Sequence, residues 1–358
     1  MAVYMGKRLL CFVFLAVLTG CSTPQAPSSD QSSVETPSLS EADTSETGKS
    51  ISSIKIDGSS TVYPLTDEIA KELAFEKGED APDISVAFSG TGGGFKKFCA
   101  GETDINNASR PILKDEMETC KANGVEYVEI PVAFDALTVV VHPDNDWAES
   151  MTVEELKAMW EPAAEGSITQ WSDVRDGWPN QPLNLNGADV ESGTYDYFTE
   201  AVVGESGASR SDYTDQVDDD LIVRAVRQDP NALGFFGYAY FEENQNQLKA
   251  VEIDAGDGSV MPSQETVQSG EYQPLTRPLF IYVSTDAAES NPELAAFVEY
   301  YLNNVRFLTE TVGYVPLPNE AYNLAFEHFT DKRVGTVFGG EAPTNLTIEA
   351  LVKVEREF

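Results

Sequence analysis

The sequence feature that most constrains the fold is a glycine-rich loop between a β-type run and a helix. The loop and its flanks are Phe88-Ser89-Gly90-Thr91-Gly92-Gly93-Gly94-Phe95. Consecutive glycines let the backbone turn its N–H groups inward, and a helix start adds unpaired N–H groups and partial positive charge. The loop therefore suits an oxyanion, with a helix predicted to begin near Gly94 and Phe95. A flexible connection is the alternative, and a Walker A loop is excluded because no Gly-Lys-Ser/Thr follows.

The beginning of the chain predicts an export signal and a tether. Lys7 and Arg8 precede an apolar run that is too short to span a bilayer and that ends at Leu18-Thr19-Gly20-Cys21. This pattern predicts a lipoprotein signal over residues 1–20 and lipid on Cys21, with an ordinary secretory signal as the alternative. Residues 21–51 are mostly Ser, Thr, Pro and acids, which predicts a disordered tether. Lipid would then be the only attachment to the membrane.

The acidic balance of the chain limits its partners. The 358 residues include 23 Lys and Arg against 60 Asp and Glu, a formal net charge of −37. Such a charge repels nucleic acid and anionic lipid head groups, so neither is expected as a partner. Because it also repels anions, an anion site must create its own positive potential unless high salt screens the field. About 300 residues follow the tether, enough for two lobes with a core.

The four cysteines have different predicted roles, which follow from their positions in the chain. Cys11 leaves with the signal and Cys21 takes lipid, which leaves Cys99 and Cys120. Two thiols near predicted helices of an exported protein indicate a disulfide, with two independent buried thiols as the alternative. Two thiols and two distant histidines offer no metal-ligand spacing, so we expect no metal site.

Two further segments repeat the arrangement of strand, polar loop and helix. One follows an alternating strand at residues 54–56, and the other follows residues 183–185. A single hydroxyl at a helix start is explained by capping of that helix. Three such loops in one chain predict one anion ringed by N–H and hydroxyl groups from two lobes. The residues concerned are Ser60, Thr61, Thr91, Gly92, Ser192, Gly193 and Thr194.

The order of these loops resembles the phosphate-binding protein of bacterial phosphate ABC importers. The matching segments lie between about residues 52 and 330 and are 57–64, 89–95, 98–105, 107–112, 192–194, 234–238 and 313–318. The resemblance implies an α/β fold of the type II periplasmic binding class, with two lobes that close on phosphate and no catalysis. Apolar strands at 131–141 and 278–283 are the predicted crossings. The lobes are then 52–135 with 280–358, and 136–279.

Two positions depart from that family pattern. Many members carry Asp before the proline, where this chain has Arg110. The Arg that many members place just ahead of the Ser-Gly-Thr loop is missing here, where Ala188, Asp189 and Val190 stand. We hypothesise that Arg110 supplies the cation instead, so that Arg110→Ala removes most phosphate affinity. A surface arginine paired with a carboxylate is the alternative. The acceptor of the phosphate proton is left open among Asp57, Asp135 and Glu191.

The sequence therefore predicts a monomeric, lipid-anchored extracytoplasmic receptor without cofactor. It would bind inorganic phosphate and deliver it to the membrane permease of an ABC importer. A receptor for sulfate or molybdate is the alternative within the fold. A phosphatase would need metal ligands or an activated nucleophile, which two distant histidines do not provide. A lipoprotein that kept the fold and lost the ligand is the third alternative, and the retained hydroxyls argue against it.

Overall fold

Strands and helices alternate along the part of the chain that the computed structural model describes, residues 53–341, 343 and 346–358. The predicted signal and Cys21 lie outside these residues. No helix within the described ranges has the length and apolarity needed to cross a membrane.

The strands are β1 Ile54–Gly58, β2 Ile84–Val86, β3 Ile105–Ala108, β4 Tyr127–Val141, β5 Ser150–Thr152, β6 Asn184–Ala188, β7 Thr214–Gln216, β8 Ala232–Gly237, β9 Lys249–Ala250, β10 Glu252–Asp254, β11 Ser259–Val260 and β12 Thr276–Ser284. The helices are α1 Tyr63–Lys77, α2 Thr91–Phe98, α3 Lys114–Ala122, α4 Val153–Trp160, α5 Trp171–Val174, α6 Gly193–Phe198, α7 Asp219–Gln228, α8 Tyr238–Asn244, α9 Gln264–Gln268, α10 Thr285–Ser290, α11 Pro292–Thr311, α12 Asn319–Thr330 and α13 Ile348–Glu357.

The main sheet is carried by one long strand that passes from one lobe to the other. Its order is β2-β1-β3-β12-β4-β8-β6-β7, and β9 also pairs with β4. The first part of β4 pairs antiparallel with β12, and its last part pairs antiparallel with β8. All fifteen residues of β4 are buried. The two strands include the predicted crossings, and the predicted α/β architecture with two lobes and two hinge strands is confirmed.

Parallel pairing brings the polar loops to defined edges of the sheet. β1 pairs in parallel with both β2 and β3, and β6 pairs in parallel with β7 and β8. Because the carboxyl ends of parallel strands meet at one edge, the helices α1 and α2 begin side by side. The apolar stripe Leu65, Ile69 and Leu73 of α1 is buried against this sheet, as its four-residue spacing predicts.

The glycine-rich loop is shorter than the sequence predicts. α2 begins at Thr91, after Gly90 with φ 77°, so the predicted start near Gly94 and Phe95 is wrong by about one turn. The reason is packing, since Gly94 lies inside the helix against the sheet. A Cβ on Gly94 would come 2.0 Å from Asn106 Oδ1 and 2.4 Å from the Cα of Gly58. Gly94 is therefore required for the close approach of α2 to β1 at Gly58, rather than for a flexible connection.

A disulfide fastens α2 to α3. Cys99 follows the last residue of α2, Cys120 lies in α3, and the two are joined with a Cα–Cα distance of 4.2 Å. Both cysteines are buried in the core. The predicted disulfide is therefore confirmed, and it closes the segment that follows the glycine-rich loop.

Candidate functional site

The hydroxyls of Ser60 and Thr61 face the opposite lobe instead of capping α1. No side chain caps the first turn of this helix. Ser60 Oγ donates to Asp196 Oδ2 at 2.9 Å, and Thr61 Oγ1 donates to the carbonyl oxygen of Gly193 at 3.2 Å. The alternative that these residues serve only as helix caps is thus excluded by their geometry. Both reach the start of α6, more than 130 positions later in the chain.

The start of α6 lies directly against the start of α1. A Cβ on Gly193 would come 2.7 Å from the backbone N and Cα of Thr61 and 2.9 Å from the carbonyl carbon of Ser60. Ser192 caps α6 by accepting a hydrogen bond from the N–H of Tyr195 at 3.1 Å. Only a glycine permits this approach of two backbones. Two of the three predicted loops are therefore brought together across the cleft.

A cavity of about 340 Å³ opens beside this contact. Ser60 lines it from one lobe, and Ser192, Gly193 and Thr194 line it from the other. The hydroxyl of Tyr314, which also lines the cavity, donates to the carbonyl oxygen of Thr61 at 2.5 Å. Hydroxyl-bearing side chains from both lobes and the starts of α1 and α6 thus border one cavity, which suits a small polar ligand.

The third loop is adjacent to the first but does not line this cavity. Thr91 Oγ1 lies 3.0 Å from Ser109 Oγ and accepts a hydrogen bond from the N–H of Ser109 at 3.2 Å. Gly92 lies beside Arg110, since a Cβ on Gly92 would come 3.7 Å from Arg110 Nη2. The structure therefore groups Thr91, Gly92 and Arg110 with one another, next to the strand edge that carries Ser60.

Arg110 is paired with a carboxylate. Its Nη1 and Nη2 donate to the two carboxylate oxygens of Glu116 at 2.9 and 2.8 Å. Glu116 also accepts a hydrogen bond from the N–H of Leu113 at the start of α3, which fixes it in place. The guanidinium lies 5.8 Å from the ring centroid of Phe95. This bidentate pair neutralises much of the positive charge that the cation hypothesis for Arg110 requires.

The three candidate proton acceptors differ sharply in their surroundings. Asp57 is buried and accepts hydrogen bonds from the N–H of Gly58 at 2.7 Å, from Ser89 Oγ at 2.8 Å and from Lys97 Nζ. Burial opposes ionisation, but the hydrogen bonds from Lys97 and Ser89 outweigh it and lower the pKa of Asp57. Asp57 thus fixes the glycine-rich loop to β1. Glu191 is exposed and lines the cavity mouth.

Asp135 has the properties that a proton acceptor needs. It is 2% exposed, lies on the crossing strand β4 and lines the cavity. Its Oδ2 has no hydrogen-bond partner within the described residues, and the nearest cation is Arg277 Nε at 3.4 Å. Burial raises the pKa of Asp135 to about 6, although the charge of Arg277 lowers it. Oδ2 of Asp135 is thus a buried acceptor atom, without a hydrogen-bond partner among the described residues, on a residue that lines the cavity.

Comparisons with known proteins show the family of this chain. A family model described as a PBP superfamily domain matches residues 35–305. Protein SphX of Synechocystis is 55% identical over 306 residues, covering 86% of this chain and 90% of that protein. Phosphate-binding protein PstS of Staphylococcus saprophyticus is 35% identical over 282 residues, covering 77% of this chain and 84% of that protein. The chain belongs to the family of PstS-like phosphate-binding proteins.

Solved structures of this PstS-like family share the fold. A possible phosphate binding protein from Planctomyces limnophilus is 46% identical with a TM-score of 0.73, covering 78% of this chain and 98% of that chain. An ABC-type phosphate transport receptor from Vibrio cholerae is 22% identical with a TM-score of 0.57, covering 74% and 100%. The second likeness concerns the fold alone.

Sequence reasoning missed two charged residues at the cleft of this PstS-like chain. Arg277 on β12 donates through Nη2 to Thr61 Oγ1 at 2.6 Å. Asp219 at the start of α7 lines the cavity, and burial raises its pKa to about 6. Arg277 stands one residue before the predicted crossing at 278–283, so a lone arginine in an apolar strand was the available signal. Asp219 lies in a run of three aspartates at residues 218–220. Such a run is typical of a solvated turn, so the sequence did not indicate a site residue there.

Proposed function

We propose that this chain is an extracytoplasmic receptor that binds inorganic phosphate between its lobes and delivers it to an ABC importer. The contact between the starts of α1 and α6 beside a 340 Å³ cavity carries the proposal. Helix starts from both lobes supply N–H groups to one place, and a tetrahedral oxyanion satisfies several of them at once. The names of the PstS relatives, which state phosphate binding, support the same ligand.

The proposed lobes and ligand residues follow the sequence predictions. Residues 52–135 with 280–358 form one lobe, and residues 136–279 form the other. The chain passes from one lobe to the other only within the two hinge strands, so relative motion about these strands is proposed to open and close the cleft. Of the predicted phosphate ligands, Ser60, Ser192, Gly193 and Thr194 line the cavity and Thr61 contacts Gly193 beside it, so these five are the proposed direct ligands. Thr91, Gly92 and Arg110, which the sequence also predicted as ligands, form a group next to the cavity and are not proposed to contact phosphate.

Asp135 is the proposed acceptor of the phosphate proton. Hydrogen phosphate carries a proton that a buried carboxylate oxygen can accept, whereas fully ionised sulfate carries none near neutral pH. Sulfate has no proton to share with Oδ2 of Asp135, so two negatively charged oxygens would face each other there, and Arg277 Nε at 3.4 Å offsets that repulsion only in part. The same carboxylate thus favours phosphate and excludes sulfate.

Calorimetric titration of the soluble chain tests this function. Residues from Ser50 to Phe358 form a compact unit, so residues 1–49 can be removed. Phosphate and sulfate are titrated separately, in low salt and in molar salt. Binding of phosphate with no heat from sulfate is the expected result. Sulfate binding in place of phosphate would establish the alternative receptor, and absence of heat with either anion would refute both. Turnover of a chromogenic phosphate ester would instead establish an enzyme.

We propose lipid on Cys21 as the attachment to the membrane. Support comes from the sequence pattern alone, because this residue lies outside the described ranges. Full-length wild-type protein should enter the detergent phase in a phase-separation assay, and Cys21→Ser protein should stay in the aqueous phase. Equal partition of the two proteins would contradict the anchor and leave phosphate binding untouched.

A further inference from the structure

Arg277 occupies the junction of the two lobes. It lies on β12 directly opposite Asp135 of β4 in the register of the hinge strands. Its side chain is 12% exposed, and the guanidinium carbon lies 3.6 Å from the ring centroid of Tyr197. Arginine in an otherwise apolar strand is costly to bury unless its charge is used.

The three nitrogens of this guanidinium contact three different parts of the cleft. Nη2 donates to Thr61 Oγ1 in the first lobe at 2.6 Å. Nη1 reaches Glu200 Oε2 in the second lobe at 3.3 Å. Nε lies 3.4 Å from Asp135 Oδ2 on the hinge. Arg277 therefore contacts a predicted phosphate ligand and the proposed proton acceptor at the same time.

The other cations near the polar loops are held by carboxylates in fixed positions. Arg110 makes a bidentate pair with Glu116, whose side chain is 14% exposed. Lys97 is paired with buried Asp57. Glu200, in contrast, is 55% exposed and meets Arg277 through one oxygen. Arg277 also lies near buried Asp135, but its contact with the largely exposed Glu200 carboxylate is a single one at 3.3 Å, and such a contact is readily exchanged for another anion.

Resting on the proposed function, we propose that Arg277 is the principal cation of the phosphate site and that phosphate displaces the Glu200 carboxylate from it. The residues ahead of the Ser192-Gly193-Thr194 loop, Ala188, Asp189 and Val190, include no arginine, and Arg277 supplies the charge from the hinge instead. A guanidinium suits this exchange because its planar fork donates two parallel hydrogen bonds to one phosphate. Arg110 then contributes only electrostatic potential at the site, because both of its terminal nitrogens stay hydrogen-bonded to Glu116.

Phosphate titration of three variants of the soluble chain tests the proposal. Arg277→Lys keeps the charge and loses the fork, so its affinity should fall about tenfold. Arg277→Ala should lose about 100-fold, and the matched variant Arg110→Ala less than threefold. Glu200→Gln removes the competing carboxylate and should bind phosphate about threefold more tightly. A merely structural role for Arg277 would not produce this gain.

The outcomes separate the inference from the function on which it rests. If the wild-type chain binds no phosphate, the proposed function fails. If wild type binds and Arg277→Ala stays within threefold of it, or loses less than Arg110→Ala, the inference is overturned. Thermal melting monitors folding of each variant. Should Arg277→Ala not fold, Arg277→Lys and Glu200→Gln decide, and wild-type affinity in both would overturn the proposal.

Discussion

Replacement of Gly193 by alanine should weaken phosphate binding without unfolding the protein. Gly193 is the point at which the second lobe touches the first, and the atoms that meet it belong to backbone. The added methyl group would lie 2.7 Å from the N and Cα of Thr61 and 2.9 Å from the carbonyl carbon of Ser60. Backbone atoms cannot rotate aside as a flexible side chain can, so the lobes must move apart.

The size of the effect follows from this distance. Ordinary contact begins near 3.4 Å, so the two helix starts must separate by about 0.7 Å. The hydrogen bond from Thr61 Oγ1 to the carbonyl oxygen of Gly193, now 3.2 Å, and the 2.9 Å bond from Ser60 to Asp196 would both be weakened or lost. At about 1 kcal/mol each, two lost hydrogen bonds correspond to a roughly 30-fold increase in Kd.

Isothermal titration with phosphate measures this loss, and thermal melting without ligand checks the fold. Gly166→Ala is the control, because a Cβ there would meet nothing within 4 Å and Gly166 does not line the cavity, so any strain from its φ of 65° should appear in melting and not in binding. The control should bind as wild type does. Threefold or smaller weakening by Gly193→Ala would refute the reasoning that closure presses these two helix starts together.

Three further predictions concern the disulfide, a buried acid and the proton acceptor. Replacing Cys99 and Cys120 by serine opens a loop of sequence separation 21 and should cost about 3 kcal/mol in urea unfolding. Burial raises the pKa of Glu129 to about 8 from 4.5, so the folded state keeps a proton that the unfolded state releases. Glu129 alone should therefore lower stability as pH rises from about 4.5 to 8, by up to about 5 kcal/mol, and Glu129→Gln should remove that share of the slope in denaturation series and leave the share of Asp135 and Asp219. Asp135→Asn should weaken phosphate binding about tenfold and admit sulfate, as measured by titration of both anions at pH 8; continued exclusion of sulfate would contradict its role.

Much of the fold could be predicted because its signals are local. The strand, polar loop and helix units at residues 54–77 and 84–98 depend on short-range spacing, and the structure forms both. Cys99 and Cys120 are close in sequence and flank predicted helices, so their pairing could be predicted as well. The crossing strands were marked by long apolar runs, which a buried strand requires.

The parts that could not be predicted depend on contacts between distant segments. Arg277 and Thr61 are separated by 216 positions, and nothing in either segment indicates the other. The pairing of Arg110 with Glu116 requires the turn before α3, whose geometry a single sequence does not fix. The early start of α2 arises from the packing of Gly94 against Gly58, which spacing along one helix cannot show.

The position of β12 in the main sheet determines how late in synthesis the sheet can be completed. β3 and β4 are consecutive strands, yet β12 lies between them and is antiparallel to both. A chain that emerges from a ribosome or a translocation channel N-terminus first therefore waits for residues 276–284 before its sheet is continuous. Until then β3 and β4 present unpaired edges, and such edges invite pairing with other chains. Final assembly is thus a late, long-range event, and a truncation before β12 should leave an aggregation-prone product rather than a smaller folded protein.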